Sequence, residues 1–361
     1  MFSLVTYFTK LLKNIRPPEH RIKAAQEIPS IVRKFLQESE FPTIDPHTRL
    51  AGSYPQKMGA GDVKDVDTLV RVPGDPKRNQ PQAKRLIWDL KKCLDELPAY
   101  LGYEGYTEAE IDIERARRSI HVYFKSQDFH LDFVPCVAPD GFENVIYVPD
   151  RGFNKWIISH PIGYINLLNK LQKEHSNKVK PLGILLKHFR NQQMKSRKPK
   201  SYWLGALLVF HIQKGNLDMS QPLAVLFHDL LDAIYSQYQC LLGRNDDATP
   251  NIPDPILGHN ISWNWSRNHF ETFMRRIKEG RNWAAKALET DNRDEAIAYW
   301  QKIFGEEYFP SEVETAASKL ADEAYPGNSF VSPSGLILPS YLASGSSTPT
   351  QLTKFHGIEQ V

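Results

Sequence analysis

Apolar residues recur along this chain in two rhythms. Over several long stretches they return every three or four residues, as on one face of a helix; over a few short ones they alternate, as on a half-buried strand. The first helical stretch carries Phe2, Leu4, Val5, Phe8, Leu11, Leu12 and Ile15. A second spans residues 19–38 and contains Pro29, a residue that kinks or divides a helix. Alternation or short apolar runs then predict strands over 65–72, 119–125 and 129–135, with a further extended piece at 144–148. Between the first two lies a helical pattern over 82–97, built on Leu86, Trp88, Leu90, Cys93, Leu94 and Leu97. From Pro161 onward the rhythm is helical: 161–175, 181–193, 201–213, 221–242, 261–288 and 291–304. Residues 73–81 and 246–259 are polar or rich in Pro, Asp and Asn, and read as loops. After Tyr325 periodicity fades among Ser, Gly and Pro, predicting a flexible or extended tail.

Strands interleaved with helices, followed by helices alone, describe an α+β protein. Its mixed sheet is packed against a C-terminal helical domain. The boundaries predicted are 1–155 for the sheet and its helices, 156–325 for the helical part and 326–361 for the tail. The chain of 361 residues suffices for such a two-part core. Its 45 basic against 42 acidic residues leave a formal charge of +3, too balanced for a protein devoted to coating nucleic acid. Cys93, Cys136 and Cys240 lie far apart, forming no zinc motif and suiting a reducing cytoplasm. The N-terminal stretch is interrupted by Lys10 and Lys13, so it reads as an amphipathic helix rather than a secretion signal. No apolar run is long enough to span a membrane.

Chemistry concentrates between Gly52 and Val70. Gly52-Ser53 is a turn in which a glycine permits close approach of backbone to ligand. Ser53 adds a hydroxyl and an N–H suited to phosphate oxygens. Asp65-Val66-Asp67 opens the strand, and side chains two apart on a strand share a face. Two neighbouring carboxylates repel, and a hard divalent cation such as Mg²⁺ offsets that repulsion. Taken singly, a Gly-Ser is as compatible with an ordinary turn, and an Asp-x-Asp with a solvated strand end.

Joined, with eleven residues between them and an apolar strand beyond, they resemble the signature of the DNA-polymerase-β-like nucleotidyltransferases. That superfamily takes a third carboxylate from a later strand. In 129–135 the residues Phe129, Leu131 and Phe133 share one face, and Asp132 lies on the other between His130 and Val134. The resemblance implies that Asp132 joins Asp65 and Asp67 in holding Mg²⁺, or Mn²⁺ in its place. His130 is a candidate base, although a strand histidine more often has a structural part.

A second constellation lies among the helices. Lys187, Arg190 and Asn191 fall at i, i+3 and i+4 and share a helix face. Ser201 stands before an apolar helix, where it reads equally as an N-cap or as part of a phosphate site with nearby lysines. Leu185-Leu186-Lys187-His188-Phe189, a basic spacer and Ser201-Tyr202-Trp203-Leu204 resemble a helix pair of two related groups. One comprises the oligoadenylate synthases and cyclic GMP–AMP synthase. The other comprises the bacterial cyclic-oligonucleotide synthases, the CD-NTases of CBASS anti-phage operons.

The resemblance extends to Val148-Pro149-Asp150, to Ile252-Pro253-Asp254-Pro255, and to the Trp300–Phe309 ending. It implies that Gly52, Ser53, Lys187 and Ser201 hold the donor triphosphate. In place of the threonine those synthases often carry after the serine stands Gln56-Lys57-Met58-Gly59, with Lys57 to supply charge. The activity implied is the joining of NTPs, ATP among them, into a cyclic di- or trinucleotide signal read by a downstream effector. No stable nucleic-acid partner and no membrane contact are expected. The alternatives are a nucleotidyltransferase acting on a tRNA or protein target, and a non-catalytic nucleotide-binding homologue.

Overall fold

The computed structural model describes residues 4–59, 65–76, 83–152, 154–244 and 246–313, and the short segments 329–331, 337–339 and 348–349. Residues Met1–Phe309 form one compact unit and Pro310–Val361 a second. In the first unit, five strands make a mixed sheet. They are β1 (Thr48–Ala51), β2 (Asp65–Arg71), β3 (Ile111–Arg115), β4 (Ile120–Phe124) and β5 (Phe129–Cys136). Their order is β1-β2-β5-β4-β3. β2 and β5 run parallel, while the other neighbours are antiparallel.

The sheet has one face fully covered. α2 (Glu19–Glu38), α4 (Ala83–Leu94) and α5 (Leu97–Tyr103) bury Ile28, Val32, Leu36, Ile87, Leu90 and Leu101 against it. From the strands come Val66, Val70, Val122, Phe124, Leu131 and Phe133. α2 runs on as one helix through Pro29, which is itself buried. A smaller core on the opposite face joins Ala51, Leu69 and Cys136 to Ile162 and Ile165 of α6 (Pro161–Glu174) and to Ile146 and Val148 of β6 (Ile146–Asp150). β6 pairs with β7 (Lys155–Ser159).

The remaining helices follow the predicted rhythm closely. They are α7 (Val179–Gln193), α8 (Ser201–Gln213), α9 (Leu223–Leu242), α10 (Arg267–Glu289) and α11 (Arg293–Phe304). α1 (Leu4–Asn14) seats its apolar face on this bundle: Phe8 meets Trp300 edge-to-face at 4.9 Å and also touches Phe304 and Phe309. Such aromatic contacts add about 0.5–1.5 kcal/mol each to the burial itself.

Several elements differ from expectation. The pattern over 82–97 ends at Leu94, and a separate helix, α5, begins at Leu97 with Pro98 in its first turn. β1, β3 and β7 are short strands that alternation did not place. The expected helix start at 261 falls instead at Arg267, because 250–262 is tied down by its own hydrogen bonds, Ser262 Oγ to Pro250 O at 2.6 Å among them. Of the expected tail, most lies outside the described residues. Within it β8 (Ser329–Val331), β9 (Ile337–Pro339) and β10 (Thr348–Pro349) form a three-stranded sheet.

Candidate active site

The parallel pairing of β2 with β5 sets Asp67 directly beside Asp132, and Asp65 beside His130. Paired residues of neighbouring strands share a face. The two carboxylates that sequence placed 65 positions apart therefore stand together on the sheet face left open by the helices. Asp67 and Asp132 are each partly exposed, whereas Val66, Leu131 and Phe133 on the other face are buried. The Asp65 backbone belongs to β2; its side chain, and the loop 60–64, lie outside the described residues.

Gly52 stands against this pair. Its φ of +71° lies where side chains are rarely tolerated. A Cβ added there would fall 1.9 Å from Oδ2 of Asp67. The turn thus requires glycine for conformation and for space alike. Ser53 begins a one-turn helix, α3 (Ser53–Gln56), that ends in Lys57 at a left-handed φ of 55°. The N–H of Met58 closes it by donating to Ser53 O at 3.2 Å.

α7 reaches this turn. Lys187, only 6% exposed, donates from Nζ to Met58 O at 3.0 Å. The Met58 side chain fits over Gly183 of the same helix, where an added Cβ would lie 2.1 Å from its methyl carbon. One turn beyond Lys187, Arg190 donates from Nη1 to Pro199 O at 2.8 Å and to Ser201 Oγ at 3.0 Å. Its Nε and Nη2 hold Asn191 Oδ1. The helix face predicted to carry Lys187, Arg190 and Asn191 therefore links the Gly52–Met58 turn to the start of α8. Ser201 is the first helical residue of α8 rather than its N-cap. Lys200 precedes it in extended backbone.

Cations gather along this edge. Burial and the nearby Lys57 both lower the Lys180 pKa. Burial first, then Arg118 and Arg117, do the same for Lys200. Arg117 and Arg118 in turn hold the fully buried Asp150 carboxylate through their Nε atoms, at 2.8 and 2.9 Å. At the start of α8, Tyr202 donates to Asp254 Oδ2 at 2.9 Å and packs edge-to-face on Tyr164. Burial, and then the Asp254 charge, push both phenols above their usual pKa.

Sequence reasoning missed His121. Its Nδ1 lies 2.6 Å from Asp132 Oδ1, while His130 Nε2 lies 3.7 Å from the same oxygen. The signal was present. A turn centred on Ser126–Gln127 sets residues equidistant from it opposite each other, which pairs Phe124 with Phe129 and His121 with Asp132.

Two carboxylates in register with a glycine turn pressed against one of them make an oxygen-donor set suited to a hard divalent ion. The residues present thus fit the Mg²⁺ that the polymerase-β-like pattern implies.

A mixed sheet bearing paired carboxylates, with a glycine-serine turn and a lysine helix closing over it, defines a nucleotidyltransferase. Residues 2–171 match the model of the Second Messenger Oligonucleotide or Dinucleotide Synthetase domain. The chain is 25% identical over 347 residues to the cyclic AMP-AMP-AMP synthase of Acinetobacter sp. (strain ATCC 27244 / 9458), covering 92% of this chain and 93% of that one. A probable cyclic AMP-AMP-GMP nucleotide synthase of Salmonella paratyphi B is 24% identical over 169 residues, 46% of this chain and 43% of that one. The fold matches the crystal structure of the Vibrio cholerae DncV cyclic AMP-GMP synthase with nonhydrolyzable GTP. The TM-score is 0.63 at 15% identity, covering 86% of this chain and 98% of that one. The matched domain and these relatives indicate a nucleotidyltransferase similar to the bacterial CD-NTases, an enzyme of the cyclic-oligonucleotide synthase class.

Proposed function

We propose that the enzyme joins NTPs, ATP among them, into a cyclic di- or trinucleotide at the Asp67–Asp132 edge of the sheet. Each transfer forms a bond between a ribose hydroxyl oxygen and an α-phosphorus, breaks the bond to the β-phosphate oxygen, and releases pyrophosphate. The observation that carries this reading is the β2–β5 register, which sets Asp67 beside Asp132. Asp65, Asp67 and Asp132 would hold Mg²⁺, or Mn²⁺ in its place. Bound there, such ions neutralise the triphosphate and favour the ionised form of the attacking hydroxyl.

The chain's own groups orient the substrate. Gly52 lets the backbone approach the phosphates, and Ser53 offers them its hydroxyl and N–H. Lys187 brings a positive charge to the same turn, and Arg190 fixes Ser201 at the head of α8. Positioning and charge neutralisation, rather than a covalent intermediate, carry reactions of this kind. The Acinetobacter relative, matched along nearly its whole length, favours a trinucleotide with adenosine. The reading implies a cytoplasmic enzyme in anti-phage signalling, its product recognised by a separate effector. Among the described residues no helix is long and apolar enough to cross a membrane.

The test is a mass spectrum of the products formed from the four NTPs with Mg²⁺, after phosphatase treatment. A phosphatase-resistant cyclic species supports the reading. Nucleotide attached to added tRNA or to a protein, or a ladder of linear oligomers, overturns it.

A further inference from the structure

The Asp132 carboxylate has unusual company. His121 on β4 and His130 on β5 flank Asp132, and one ligand atom from each of the three lies within 4.8 Å of the others. The two imidazoles face each other at 5.7 Å between centroids. All three side chains retain solvent access: 36% of His121, 26% of His130 and 15% of Asp132. This arrangement is fixed by the sheet. His121 is paired with Asp132 across the β4–β5 hairpin, and His130 precedes Asp132 by one alternation on the same strand face. The helix-covered core beneath them, including Val122, Phe129, Leu131 and Phe133, holds that register.

A Mg²⁺ site has no need of imidazole, since hard ions take oxygen donors. Two nitrogens and one carboxylate oxygen instead form the donor set that Zn²⁺ and its neighbours among the borderline metals prefer. Such an ion sits about 2.0–2.2 Å from each donor, so it bridges donors up to about 4 Å apart. The 3.7 Å separation of Asp132 Oδ1 from His130 Nε2 falls within that span, and the 2.6 Å separation from His121 Nδ1, a hydrogen-bond distance, opens as the ion replaces the proton between them.

We propose that His121, His130 and Asp132 form a second metal site. It takes a borderline divalent ion such as Zn²⁺ and, when filled, withdraws Asp132 from the Mg²⁺ set. The site makes the enzyme sensitive to transition-metal ions under Mg²⁺-saturated conditions. The metal binds reversibly through Nδ1 of His121, Nε2 of His130 and one Asp132 oxygen, displacing water and any proton on those nitrogens. The inhibitory consequence rests on the reading of Asp132 as a catalytic metal ligand; the binding itself does not.

The experiment uses the full-length, chelator-treated protein and Co²⁺ as a spectroscopic probe. Titration is expected to give one equivalent of a visible band of a nitrogen-containing, four- or five-coordinate site, bleached by Zn²⁺. His121→Gln with His130→Gln should remove the band, whereas Asp67→Asn should keep it. Circular dichroism and thermal melting identify folded variants, and either single histidine variant serves if the double does not fold. In synthesis assays at saturating Mg²⁺, each rate is referred to that variant's own zinc-free rate. The zinc concentration for half-inhibition should rise about tenfold or more in His130→Gln, the scale on which loss of even an outer-shell partner weakens a metal site.

Absence of a band in the wild type, or a band unchanged in the histidine variants, overturns the proposal. Asp132→Asn with full Mg²⁺ activity would instead overturn the catalytic assignment of Asp132. The cobalt titration reads the proposed site independently of that result.

Discussion

Replacing Gly52 by alanine tests the tightest contact in the site. Two costs arise, and they are separable. The backbone at Gly52 has φ +71° and ψ −153°, a region that essentially only glycine occupies. Holding alanine there costs about 1–3 kcal/mol. The new methyl would also meet Asp67 Oδ2 at 1.9 Å, so either the turn or the carboxylate must move. A displacement of about 1 Å at a reacting centre costs on the order of a hundredfold in rate.

Gly52→Ala should therefore lower kcat about a hundredfold while lowering Tm by several degrees, at roughly 2–4 °C per kcal/mol for domains somewhat smaller than this one. The assay is pyrophosphate release beside thermal melting, repeated in an Asp67→Ala background. There the carboxylate clash is gone, leaving the backbone cost and a milder contact with Cβ of residue 67 at 3.3 Å, so the Tm penalty of Gly52→Ala should shrink. Wild-type activity in the single variant, or equal Tm penalties in both backgrounds, would refute the contact as the cause.

Lys187→Ala removes a buried ammonium–carbonyl bond of the kind worth about 1.5–3 kcal/mol, and with it positive charge at the turn; it should lower Tm and raise the apparent KM for ATP, as melting and initial rates would report. Simultaneous Arg117→Ala and Arg118→Ala strips the fully buried Asp150 of both guanidinium partners and should cost roughly 3–5 kcal/mol in urea unfolding, more than either alone. His211 is buried, and desolvation lowers its pKa to about 4. Below pH 6.5 the unfolded chain binds a proton that the folded chain refuses, so its contribution to stability is intact above pH 6.5 and is lost as pH falls toward 4. Urea melts from pH 7.5 down to 4.5 should show that loss, and His211→Leu should reduce the slope.

Much of this fold was legible because its helices are long and one-sided. The patterns over 19–38 and 201–213 coincide with α2 and α8 residue for residue. Short elements were not. β1 is four residues long, and β7 carries no clean alternation, since Trp156, Ile157 and Ile158 run consecutively.

At the site, Asp67 and Asp132 were identified from face alternation and resemblance, but nothing local foretold that β2 and β5 are parallel neighbours in a register that aligns them. That depends on chain crossover, a long-range property. Lys187 was legible as a helix residue and Ser201 as a helix start. What joins them to the turn is the buried chain of Lys187, Met58, Arg190 and Ser201, which only packing reveals. Pro29 illustrates the reverse. Its local rule predicts a break, yet the burial of Ile28, Val32, Leu36 and Phe35 around it keeps α2 continuous.

The central claim is that the paired carboxylates of β2 and β5 make the metal-dependent centre of synthesis. The most direct measurement is Mg²⁺-dependent pyrophosphate release from ATP by folded Asp67→Asn and Asp132→Asn proteins. The account predicts that each loses at least about a thousandfold, equivalent to about 4 kcal/mol of transition-state stabilisation, with the melting temperature of Asp67→Asn no lower than wild type because a repelling charge has been removed. Either variant retaining more than a few per cent of wild-type release would contradict it.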